Sequence, residues 1–141
     1  MRHKGNNNLE AEERNRTLLK LYRRKISKCR FIKCEAIFRA IASSPSPRFW
    51  VSEYRAAIVL SRMFNGDKLE GMRKNNRDMY FEIFRRAQEI RKTKPLADFL
   101  SLATTIVYQP APSFYLTPFS VCTIITKYRK ALRTRACQEN H

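Results

Sequence analysis

Cys29, Cys34, Cys122, Cys137, His3 and His141 are the chain's soft metal ligands. A structural zinc site needs four such groups brought together at short, regular spacings. These six match no such spacing, so no metal is expected, and scattered thiols read as core fillers or inert surface groups. The carboxylates Asp67, Glu70, Asp78 and Glu82 gather near the middle of the chain, as a metal-dependent nuclease would require. Asp78 and Glu82, however, stand i, i+4 at a helix start, where capping and the helix dipole account for them. With three glycines in the whole chain there is no phosphate-cradling loop, and no nucleophile has a recognisable base beside it. Neither enzymatic activity, nor a cofactor, nor a small-molecule substrate is expected.

The chemistry that the sequence does carry is cationic. Among 141 residues, Lys and Arg number 29 against 12 Asp and Glu, a formal net charge of +17. Such an excess opposes compaction and attracts polyanions, so nucleic acid is the expected partner. A hydrophobic content of 43% still suffices for a core. Arg23, Arg24, Lys25, Lys28, Arg30 and Lys33 form the densest block, suited to phosphates without reading sequence. The start, Met-Arg-His-Lys, is followed by no apolar run, and the longest such run, Ala56 to Leu60, is too short to span a bilayer. The expectation is a cytoplasmic, nucleoid-associated protein with no membrane contact.

The chain also repeats itself. Ser44-Pro45-Ser46-Pro47-Arg48-Phe49-Trp50-Val51-Ser52 aligns with Gln109-Pro110-Ala111-Pro112-Ser113-Phe114-Tyr115-Leu116-Thr117 at an offset of 65 residues. Without a gap, Ala56 then meets Val121, Val59 meets Ile124, Leu60 meets Ile125, Ser61 meets Thr126 and Arg62 meets Lys127. An aromatic pair, a capping hydroxyl, an apolar stripe and a terminal cation stay in register, which marks a duplication.

Each copy predicts three helices. In the first they run from about Leu9 to Ser27, from about Phe31 to Ser43, and from an N-cap at Ser52 to about Asn65. In the second they run from a cap at Asn75 or Asn76 to about Thr93, from Pro95 to an end left open by the β-branched run Thr104 to Val107, which suits an extended strand as well, and from Thr117-Pro118 toward Arg135. The predicted fold class is all-α: two diverged three-helix units in tandem, packed together. The domains are a disordered N-terminal tail 1–8, a first unit 9–66, a linker 67–75, a second unit 76–135 and a tail 136–141.

Ala56, Val59, Leu60 and Met63, with their counterparts Val121, Ile124, Ile125 and Tyr128, fall at i, i+3, i+4, i+7 and predict the inner faces of the third helices. Phe49, Trp50, Phe114 and Tyr115 anchor the preceding loops, with Val51 and Leu116 as staples. The outer faces then hold Tyr54, Arg55, Ala57, Ser61 and Arg62 in one copy and Phe119, Ser120, Thr123, Thr126, Lys127 and Lys130 in the other. Short polar groups near a helix start, with cations toward its end, suit a helix lying in a major groove. The candidate nucleic-acid-binding residues are Arg23, Arg24, Lys25, Lys28, Arg30, Arg48, Arg55, Ser61, Arg62, Ser120, Thr123, Lys127, Arg129 and Lys130.

A helix, a connection and a capped helix with an aliphatic inner face, over Phe31 to Met63 and Pro95 to Tyr128, resemble the helix-turn-helix DNA-binding families. The resemblance implies a third helix in the recognition position of each unit and contact with two neighbouring grooves of double-stranded DNA, as a regulator or recombination accessory factor. The connection from Ser44 to Val51 departs from the motif, whose turn is roughly three or four residues. The chain as a whole resembles small basic proteins of bacterial prophages and mobile elements. Two alternatives stand beside DNA: RNA binding, for which the charge is equally suited although no RNP1 or KH signature is present, and a structural or adaptor role resting on a protein partner or a homodimer.

Overall fold

The computed structural model describes residues 4–28 and 34–139, with side chains over 10–28 and 35–138. Among these residues the chain is all-helical: α1 (Lys4–Lys28), α2 (Cys34–Ala42), α3 (Glu53–Phe64), α4 (Lys74–Thr93), α5 (Phe99–Val107) and α6 (Pro118–Glu139). The helix borders recur at the offset of the sequence repeat. Lys28 and Thr93 end α1 and α4, α2 and α5 begin and end 65 residues apart, and so do the starts of α3 and α6.

Local chemistry explains most of these borders. Ser52 caps α3, its Oγ accepting from the Arg55 N–H at 3.0 Å, and Thr117 Oγ1 accepts from the Ser120 N–H at 3.0 Å to cap α6. Pro118 fills the first position of α6, where a missing N–H costs nothing. The β-branched end of α5 remains helical to Val107. Thr104 and Thr105 bond back to the carbonyls of Leu100 and Ser101, and Ile106 and Val107 are fully buried. Burial overrides their weak helix propensity.

Three borders differ from the sequence expectation. Helix α1 already includes the Asn-rich segment from Lys4, because extending an existing helix through poor formers is far cheaper than nucleating one. Helix α4 starts at Lys74, with Arg73 rather than an asparagine in the capping position and no side-chain cap. Helix α5 starts after Asp98, not at Pro95, which lies in the preceding turn. That turn is pinned by Arg91, which donates to the Ala97 carbonyl at 2.9 Å and sits 4.6 and 4.7 Å from the ring centres of Phe64 and Phe99. The expected start of the second helix at Phe31 lies outside the described residues.

The chain divides into two compact units that do not follow the order of the repeat. One is continuous, Pro45–Tyr115; the other is split, joining Met1–Ser44 to Leu116–His141. In the continuous unit α3, α4 and α5 pack on one another; in the split unit α1, α2 and α6 do. Each unit therefore contains a first, a second and a third helix, but its third helix comes from the other copy of the repeat. The boundaries 9–66 and 76–135 describe the repeat, whereas the packing boundaries fall inside the two Pro-x-Pro segments.

The core of the continuous unit is built from Phe49, Val51, Ala56, Val59, Leu60 and Met63, closed by Met79, Tyr80, Ile83 and Ala87 from α4 and Leu102, Ala103, Ile106 and Val107 from α5. In the split unit Leu18, Leu19, Ile37, Ile41, Val121, Ile125 and Tyr128 are buried. All four inner residues expected on α3 are buried; on α6 three are, and Ile124 is half-buried. The Pro-x-Pro segments meet in an antiparallel bridge. Ser46 and Ala111, repeat equivalents, each donate an N–H to the other's carbonyl at 2.9 Å.

Candidate nucleic-acid interface

Cations are unevenly shared. The split unit holds 17 of the 29 Lys and Arg and 5 of the 12 Asp and Glu, the continuous unit the remaining 12 and 7, so the formal charges are +12 and +5. In the continuous unit much of that charge is engaged internally. Arg62 pairs with Asp67 at 2.7 Å, Lys74 with Asp78 at 3.1 Å, Arg85 and Arg86 with Glu82 at 2.7 Å each, and Lys92 with Glu89 at 2.9 Å. The arginine hydrogen bonds, Arg85 first, hold the Glu82 carboxyl below its usual range. Asp67 is likewise lowered, first by the Leu69 N–H and then by Arg62.

The split unit is different. Along α1, Arg16, Lys20, Arg23, Arg24 and Lys28 are all exposed and fall at i, i+4, i+7, i+8 and i+12, one face of a helix. None of them has a salt bridge among the described residues. The repeat equivalents on α4 are Phe81, Arg85, Gln88, Glu89 and Thr93, so the two copies share a fold and not this stripe. Arg16 and Lys20 were not singled out in the sequence because the dense block begins at Arg23; helical spacing from that block was the signal that would have found them. On α6, Lys127, Arg129, Lys130 and Arg133 are exposed. Helices α1 and α6 pack together, and the Arg129 guanidinium lies 5.7 Å from the Tyr22 ring centre, beside Arg23 in sequence. Tyr128 Oη donates to Glu12 at 2.9 Å, and Arg135 reaches the same carboxylate at 3.5 Å.

The candidate residues thus have several fates. Arg23, Arg24, Lys28, Lys127, Arg129 and Lys130 are exposed and Lys25 is half-buried, all in the split unit; Arg30 lies outside the described residues. Arg55 is exposed on α3, and Arg62 is exposed but tied to Asp67. These two border a shallow cavity of about 290 Å³ with Asp67, Leu69 and Met72. Ser61 and Thr123 are half-buried. Ser120 is committed to the cap of α6, its hydroxyl accepting from Thr117 at 2.9 Å. Arg48 is 8% exposed. Its guanidinium donates to the Phe49 and Val51 carbonyls at 2.9 and 3.1 Å and lies 5.2 and 4.5 Å from the rings of Trp50 and Tyr108, so it stabilises the loop from within.

Two aromatics on the outer faces stand out. Tyr54 on α3 and Phe119 on α6 are repeat equivalents, 62% and 80% exposed. Phe119 also lines a cavity of about 470 Å³ with Phe38, Pro118, Cys122, Glu35 and Arg39. Among the described residues no group of three or more His, Cys, Asp or Glu is placed to hold a metal, and no helix is long and apolar enough to cross a membrane. Comparison with protein-family models, curated proteins and solved structures gives no match.

Proposed function

We propose that the chain binds double-stranded DNA, with the split unit supplying most of the affinity through phosphate contacts from α1 and α6. The exposed stripe Arg16, Lys20, Arg23, Arg24 and Lys28 carries this reading. Five cations along one helix face with no salt bridge among the described residues are a costly arrangement in isolation, since like charges one turn apart repel, and a polyphosphate relieves that repulsion while releasing counterions. The stripe spans about 18 Å of helix at 1.5 Å per residue, enough to follow several phosphates of one strand.

Within each unit three helices pack together, the third supplied by the other copy: α6 beside α1 and α2, α3 beside α4 and α5; we take each trio as a helix-turn-helix-like unit. The third helices take the recognition role, and a regulatory or recombination-accessory function follows.

The test is direct competition. A labelled random-sequence duplex bound to the full chain at moderate salt is challenged with unlabelled duplex and with a structured RNA hairpin. Displacement by duplex at lower concentration supports the proposal, and stronger displacement by the hairpin moves the function to RNA. A second reading, an adaptor that captures a protein, is favoured by one observation, the apolar cavity at Phe38, Phe119 and Cys122. It predicts no salt-sensitive binding to either nucleic acid.

A further inference from the structure

Resting on that duplex-DNA reading, we infer that the outward faces of α3 and α6 read thymine, by apolar contact with its 5-methyl group in the major groove. Seven large hydrophobic side chains are strongly exposed among the described residues, and three of them, Tyr54, Ile58 and Phe119, lie on these two faces. Tyr54 and Phe119 occupy equivalent positions of the repeat, as do Ile58 and Thr123. In both copies an aromatic in the first turn is followed one turn later by a β-branched, methyl-bearing side chain, exposed in Ile58 and half-buried in Thr123, and two turns later by a cation, Arg62 paired with Asp67 or the exposed Lys127. The two sequences have diverged at most surface positions, so an outer stripe kept in type points to a shared ligand.

The stripe runs about 12 Å along the helix from its aromatic to its cation at 1.5 Å per residue. Residues near the start of a recognition helix are those that meet base edges. Thymine alone presents a methyl group in that groove, and aromatic and threonine-like side chains are its apolar partners. A hydrophobic protein surface would also cover these side chains. The charge argues for DNA: the strongly cationic unit is the one that carries Phe119, with Lys127 and Lys130 exposed beyond it on the same helix.

The experiment compares a short duplex of alternating dA and dT with the same duplex carrying dU for dT, which removes only the methyl groups. Each is titrated with the full chain and with a Tyr54→Ala, Ile58→Ala, Phe119→Ala variant whose melting is checked by circular dichroism. The expected result is tighter binding of the dT duplex by the unmodified chain, by about fourfold for each methyl engaged. The variant should lose that preference while binding the dU duplex as before. Equal, salt-sensitive binding of both duplexes by the unmodified chain would overturn thymine reading and leave DNA binding standing. Failure to bind any duplex would overturn both. Self-association of the unmodified chain that the variant loses, with dT and dU bound alike by both, would assign the face to a second copy and overturn the inference.

Discussion

Arg86 donates to Glu82, to Gln109 Oε1 at 3.1 Å and to the Pro110 carbonyl at 2.9 Å, with its guanidinium 4.9 Å from the Phe49 ring. It ties α4 to the second Pro-x-Pro segment and covers an aromatic of the first. Arg86→Ala leaves a loop carbonyl and an amide without their partner and should cost about 1–3 kcal/mol in chemical denaturation, unlike removal of an exposed cation of α1. Its partner Glu82 supplies a pH test. Because the folded carboxyl is held below the ordinary glutamate value by its arginine hydrogen bonds, the stabilisation is fully present above that ordinary value and lost as pH falls through the lower folded one. The stability gap between the natural chain and Glu82→Gln should therefore be constant near neutral pH and shrink below about pH 4.5; a gap that is flat down to pH 3 would contradict the assignment. Capping and core residues were legible in the sequence, since hydroxyls before a proline or an amphipathic run and an i, i+3, i+4, i+7 pattern have few alternative meanings. Arg48 was not. Its charge reads as surface, and only the fold of its own loop offers the Phe49 and Val51 carbonyls that draw it inside.

Helix α3 illustrates how much a single element takes from its own sequence. Ser52 starts it, Ala56, Val59, Leu60 and Met63 bury one face, and Asn65 with Gly66 at φ 100° ends it. Ser52→Ala should cost about 1 kcal/mol and Leu60→Ala about 2–5 kcal/mol, both read from urea midpoints; equal costs would mean that the helix is not docked as described. Elements without a side-chain cap were harder to bound. The Asn pair near the start of α4 has the chemistry of a cap, yet the helix begins just before it, and Pro95 has the chemistry of a helix start, yet Arg91 draws that segment into a turn. In the second case the contacts of Arg91 with Ala97, Phe64 and Phe99 chose among local options of similar energy.

For the whole molecule, the exchange of third helices could not be read from the sequence. In a duplicated chain, α3 and α6 present nearly the same inner face, so either can complete either pair of first and second helices. The Pro-x-Pro segments bias the outcome: proline fixes φ and keeps the residue before it extended, so the chain leaves α2 and α5 in an extended stretch instead of a tight turn. A fragment covering 45–115, the continuous unit, should melt cooperatively as a monomer. A fragment covering 1–66, the first copy of the repeat, should not, and should regain cooperative melting when mixed with 67–141. Cooperative melting of 1–66 alone as a monomer would contradict the exchange.

The central claim, that the exposed cations of α1 and α6 bind the phosphates of duplex DNA, is tested most directly by the salt dependence of binding. The affinity of the full chain for a duplex is measured across a range of salt concentrations, beside a variant in which Arg16, Lys20, Arg23 and Arg24 are replaced by Gln. Each phosphate contact contributes about 0.9 to the slope of log affinity against log salt. The variant should bind more weakly and its slope should be shallower by about 3 to 4. An unchanged slope, with the variant folded, would contradict the account.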